Sequence, residues 1–131
     1  MEIASTPRPV STAEAPAAIG PYSQGVIAGG FLFVSGQLPF DPATGEPVAG
    51  GIEERAERCL KNLAAVARAA GTDLSRAVKL TVFLTDLGEF ARVNEVYSRH
   101  FSTCPPPARS AVQVAALPRG ADIEIEAIIQ R

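Results

Sequence analysis

The sequence predicts an α+β domain in which a five- to six-stranded, mostly antiparallel sheet carries two helices on one face. Three observations predict it. Two segments, 52–70 and 87–101, repeat their apolar residues with a helical period. Segments rich in β-branched residues lie before, between and after them. The chain of 131 residues, 47% of them hydrophobic, has the size of one domain, 1–131, with enough apolar content for a core.

The elements follow in order. Residues 1–14 begin an extended Pro- and Ala-rich segment that runs to about 21, with an edge strand expected around Val10. Tyr22 to Ala28 and Phe31 to Gln37 flank Gly29-Gly30, a two-residue hairpin signal. Three prolines and three glycines mark 38–51 as loop. Ile52, Ala56, Cys59, Leu60, Leu63, Val66, Ala67 and Ala70 form one helical stripe, and Gly71 is its C-terminal cap. In the strand 77–84, Val78, Leu80, Val82 and Leu84 share a face. Asp86 and Glu89 make a capping box for the second helix, which turns Phe90, Val93, Tyr97 and Phe101 inward with Asn94 beside them. Strands over 109–115 and 122–130 close the domain, joined through Leu117-Pro118-Arg119-Gly120. Two helices cover only one face of such a sheet. The other carries Val and Ile, so a homo-oligomer with packed sheets is expected.

Composition narrows the function classes. A net charge of −2 and a pI near 5.4 remove the electrostatic case for a nucleic-acid partner. No apolar run reaches membrane-spanning length, and the N-terminus lacks the apolar stretch of a secretory signal. Cys59 and Cys104 show neither metal nor redox spacing, so a reduced, cytoplasmic compartment is expected. His100, the one histidine, can centre neither a Ser-His-Asp nor a His-metal constellation and is placed as a helix C-terminal cation.

Candidates for chemistry remain. Pro105-Pro106-Pro107 stiffens the approach to Arg109, which is either an exposed strand-end cation or an aimed anion receptor. Glu124 shares one strand face with Asp122 and Glu126. That row is either a solvated face or holds a carboxylate that handles water. If the last two strands pair, Arg109 and Glu124 approach one site. Gly36, after Ser35, admits a close ligand or marks a bulge. Tyr22 is a half-buried aromatic at a strand start, and Asn94 is a loop-tethering structural amide.

AIGPYSQG, FVSGQLP, the stretch from VFLTDL to FARVNEVY, PPARS and IEIEAI occur in this order. Together they resemble the RidA (YjgF) family of reactive-intermediate imine and enamine deaminases, from about Ala15 to Arg131. The resemblance implies a chorismate-mutase-like fold and a homotrimer with three sites between subunits. It also implies hydrolysis of 2-imino acids and enamines such as 2-aminoacrylate to 2-keto acids and ammonia, with no metal and no organic cofactor. By the same resemblance Arg109 grips the substrate carboxylate, helped by the Gly36 N–H beside Ser35. Glu124 positions or activates water, Tyr22 lines the site, and Asn94 is a characteristic position. Many relatives have cysteine where this chain has Ala111. The backbone carbonyl that contacts the substrate nitrogen there is kept, while any redox sensitivity of the site is lost. A ribonuclease or translation inhibitor and a non-catalytic carboxylate-binding or chaperone-like protein are the alternatives.

Overall fold

Gly29 (φ 58°) and Gly30 (φ 84°) turn the chain back on itself. Both adopt the left-handed conformation that a two-residue hairpin needs, and they join β2 (Gly25–Ala28) to β3 (Phe31–Gln37). This expected hairpin is the seed of the sheet in the computed structural model, which describes residues 6–131. The first five residues of the expected N-terminal segment lie outside that range. Beyond them β1 (Arg8–Val10) pairs with β2 at the sheet edge and buries Val10, as expected. The Gln24 amide holds the segment between them. Its Nε2 donates to the carbonyls of Thr12, Ala15 and Pro16, and its Oε1 accepts from Thr12 N–H at 2.7 Å.

The remaining elements are α1 (Ile52–Ala69), β4 (Ala77–Leu84), α2 (Phe90–His100), β5 (Ala108–Gln113) and β6 (Ile123–Gln130). The six strands run in the order β1-β2-β3-β6-β4-β5. All neighbours are antiparallel except β4 and β5, which are joined through α2 and run parallel. β6, last in the chain, is inserted between β3 and β4. Every residue of the expected α1 stripe is buried, the helix packing against β6, β3 and α2. Leu60, Leu63, Leu80, Leu84, Ile123, Ile125 and Ile129 are fully buried there, each contributing about 1.5–3 kcal/mol. Gly71, at φ 81°, ends α1 as expected, its N–H bonding Arg68 C=O.

Three expectations need correction, and one condition is not met. The last two strands do not pair: β4 lies between β5 and β6, because the parallel crossover through α2 sets β5 on the outer side of β4. Val78 does not join Leu80, Val82 and Leu84 inside. A register shift between Ala77 and Lys79 turns it outward, and it is 44% exposed. Asp86 and Glu89 form no capping box. Asp86 caps a 3-10 turn, Leu87–Glu89, by accepting from Gly88 N–H, and Glu89 pairs with Arg92. The loop-tethering amide is Asn62, whose Nδ2 donates to Leu38 and Phe40 carbonyls at 3.1 Å each, rather than Asn94.

Both helices lie on the face that holds Ile123, Ile125, Ala127 and Ile129. The opposite face is bare. It presents Phe33 (44% exposed) and Val112 (40% exposed) together with Glu124 and Glu126. Among the described residues no helix is long and apolar enough to cross a membrane.

Candidate active site

Arg109 stands on β5, paired with the buried Leu80, so its side chain leaves the sheet on the helix side. Because β5 is an edge strand, the guanidinium extends past the core and stays exposed. Its Nη1 donates to Asn94 Oδ1 at 2.7 Å. Its Cζ lies over two aromatic rings of α2, 4.7 Å from the Tyr97 centroid and 5.0 Å from that of Phe90. Pro106 and Pro107 form the other wall of a cavity of about 360 Å³ that Arg109, Tyr97 and Phe101 also line. Tyr97 is buried, its hydroxyl has no partner among the described residues, and burial pushes its pKa up while the Arg109 charge opposes the shift. Ala111 is on the same side of β5 and packs against the core.

Glu124 occupies the other half of the molecule. It pairs with Phe83 on the bare face. Beside it the β3–β6 register slips between Val34 and Gln37, leaving Ser35 and Gly36 as a bulge. The Glu124 carboxyl lies against the Gly36 backbone. A Cβ on Gly36 would stand 2.7 Å from Glu124 Cδ and closer still to Oε2. This is the reason for glycine here: close approach, with no unusual φ required. Burial, with the neighbouring Glu126 charge second, raises the Glu124 pKa above the ordinary carboxylate value. Ser35 braces the bulge from behind, its Oγ donating to Ser23 C=O at 2.6 Å and its N–H to Gln24 C=O at 2.9 Å. Tyr22, next to Ser23, is 52% exposed, and its hydroxyl accepts from Ile19 N–H.

Asp122, expected in the same carboxylate row, is instead occupied by Arg55, whose Nε and Nη2 reach both its oxygens at 2.7–3.0 Å. His100, at the end of α2, bonds Glu57 Oε1 at 2.9 Å. Among the described residues no three His, Cys, Asp or Glu side chains converge as a metal site would require.

The two halves do not meet within one chain. Arg109 registers with Leu80 and Glu124 with Phe83, three residues apart on β4. At ~3.3 Å per residue along a strand and ~4.8 Å between strands, their backbones lie ~14 Å apart. Their side chains also leave opposite faces. The partners that sequence reasoning missed, Phe90 and Tyr97, carry a legible signal. Phe90, Asn94 and Tyr97 are spaced i, i+4, i+7 and so share one helix face. The expectation assigned the rings to the core alone.

The sequence model described as endoribonuclease L-PSP matches residues 12–130. The chain is 63% identical over 121 residues to the RutC family protein y4sK of Sinorhizobium fredii, covering 92% of this chain and 95% of that one. It is 50% identical over 121 residues to the human 2-iminobutanoate/2-iminopropanoate deaminase, covering 92% and 88%. Among solved structures, E. coli TdcF with bound serine superposes with a TM-score of 0.91 at 46% identity, covering 95% of this chain and 98% of that one.

Proposed function

The chain belongs to the RidA (YjgF) family, the family described by the endoribonuclease L-PSP model, and from that premise we propose that it is a 2-iminobutanoate/2-iminopropanoate deaminase. It hydrolyses 2-imino acids and their enamine tautomers, such as 2-aminoacrylate, to 2-keto acids and ammonia. The observation that carries this reading is the pair of half-sites, a fork-shaped cation with open edges and a carboxylate of raised pKa. The relatives named deaminases are about 50% identical over most of the chain, and serine is bound in a solved relative. RNA cleavage has the name of the matching family model behind it, but a net charge of −2 disfavours an RNA partner, and no observation favours chaperone-like binding.

In this reading Arg109 grips the substrate carboxylate bidentately through the edge that Asn94 leaves open. The Gly36 N–H and the Ala111 carbonyl complete the hold on the carboxylate and the imine nitrogen, with Ser35 keeping the bulge in place and Tyr22 covering the substrate. A protonated imine is already electrophilic, so no covalent nucleophile is needed. Glu124 takes a proton from water as its oxygen attacks the imine carbon. It then returns the proton to the nitrogen of the carbinolamine. The C–N bond breaks, ammonia departs, and the hydroxyl proton is lost to give the ketone. A carboxyl group whose pKa is raised serves both steps better than an ordinary carboxylate. Orientation of a small acid next to its water supplies much of the remaining acceleration.

We further propose a homotrimer. The bare face and the β5 edge are different surfaces, so an edge-to-face contact between copies is heterologous, and a rotation of a third of a turn closes it into a three-membered ring. Such a contact covers Phe33 and Val112 and carries Arg109 of one copy towards Glu124 of the next. The two unpaired thiols, Cys59 and Cys104, suit the cytoplasmic setting that belongs to the same proposal. The test is keto-acid formation from 2-iminobutanoate generated in situ, with light scattering on the same sample. Acceleration by a particle of three times 13.7 kDa is the expected outcome. An inert protein, or an active monomer, overturns the reading or the assembly respectively.

A further inference from the structure

The guanidinium of Arg109 sits on an exposed strand edge, yet α2 holds it from three positions. Asn94 takes one Nη1 hydrogen at 2.7 Å. Phe90 and Tyr97, one turn to either side, place their rings 5.0 and 4.7 Å from Cζ. Tyr97 is fixed in turn by the core and by Phe101, whose ring centroid lies 4.9 Å away. Arginine has many rotamers, and a receptor that wanders among them binds a carboxylate weakly. Rings that hold the cation over their faces restrict its rotamers, leave the charge intact and shed water from it. Among the described residues no hydrogen bond or ion pair engages Nη2 or Nε, so the clamp leaves a planar edge open.

We infer that Phe90 and Tyr97 are positioning residues whose ring faces clamp the Arg109 guanidinium and thereby set the affinity for the substrate carboxylate. The inference rests on the proposed role of Arg109 and names what aims it. The clamp explains why one helix carries an aromatic, an amide and an aromatic at i, i+4 and i+7. Lysine would be a poor substitute, since an ammonium lacks the planar fork that bonds Asn94 on one side and leaves the other donors free.

The test compares Phe90→Leu, Phe90→Tyr and Tyr97→Phe, each also made with Arg109→Ala, in the full-length protein. The readouts are KM and kcat for 2-iminobutanoate generated in situ, and Kd for its keto-acid product, 2-oxobutanoate, by calorimetry. Phe90→Leu keeps apolar volume and removes the ring. It should raise KM and Kd about 5- to 30-fold, the range of a partly desolvated cation–π contact, with kcat changing far less. Phe90→Tyr and Tyr97→Phe, which keep the rings, should retain wild-type affinity. In the Arg109→Ala background, Phe90→Leu should add nothing, because the pair acts as one unit. Unchanged affinity in Phe90→Leu, or an equal loss with and without Arg109, overturns the clamp while leaving Arg109 as receptor. Normal binding of 2-oxobutanoate by Arg109→Ala alone overturns the receptor and the clamp together.

Discussion

The two halves of the candidate site are built by opposite means. Arg109 is surrounded by side chains of a single helix, Phe90, Asn94 and Tyr97, at distances set by helical spacing. Glu124 is held against backbone, at a bulge where β3 and β6 lose register. The first arrangement leaves a cation exposed and aims it. The second half-buries an acid and raises its pKa. An anion receptor must stay charged and accessible, which an edge strand beside a helix provides. The proton carrier proposed at Glu124 gains from a pKa raised towards working pH, and partial burial acts in that direction. The chain keeps these environments on opposite faces of its sheet, so each can be perturbed without disturbing the other.

The carboxylate half should show the larger effects. Glu124→Gln keeps the shape and removes the basicity, and kcat for 2-imino acids should fall by ~10²- to 10⁴-fold. In the wild type, activity should be lost as pH falls through the pKa of Glu124, which burial raises from the ordinary glutamate value, because the proposed base must be ionised. The glutamine variant should lose that acid limb. The folded state binds the Glu124 proton more tightly than the unfolded chain, so the ionised group opposes folding above its unfolded pKa. Glu124→Gln should therefore leave Tm at pH 7 unchanged or slightly higher. A lower Tm with near-wild-type kcat would demote Glu124 to a structural strand residue.

On the cation half, Arg109→Ala should lose about 30- to several-thousand-fold in kcat/KM, the ~2–5 kcal/mol of an unpaired charge partner. Arg109→Lys should lose less but still most of the activity. Slow turnover of an imine that lacks a carboxylate should hardly change in either variant. Equal losses on both kinds of substrate would assign Arg109 to folding or assembly instead.

Gly36→Ala separates the two modes of construction. The added Cβ must displace the Glu124 carboxyl by about an ångström, and a shift of that size in a reacting group costs ~10²-fold. Affinity for 2-oxobutanoate in the Arg109 half should fall less than kcat does. The smallest effect expected is that of thiol alkylation. Cys59 is fully buried and its pKa is pushed up, first by burial, so only the half-buried Cys104 should label. Imine hydrolysis should stay within about twofold, and loss of activity in step with labelling would reveal a thiol role.

Local pattern alone determined a good part of this protein. The eight-residue stripe of α1, the Gly29-Gly30 hairpin, the Gly71 cap and the alternation of Ile123, Ile125, Ala127 and Ile129 are each set by a period of 3.6 or 2, or by the conformational demand of one residue. They were legible because the side chain's direction follows from its position in the element. The same holds for the five motif blocks that mark the family. Only the tertiary structure decided that β6 enters between β3 and β4, that β5 lies outside β4, and that Arg109 and Glu124 therefore face opposite ways. It also decided that Asn62 tethers the loop while Asn94 holds the arginine, and that a slip at Ala77 turns Val78 outward. Strand partners and register are chosen between segments far apart in the chain. Their choice depends on packing the whole sheet beneath two helices, and no window of sequence contains that information.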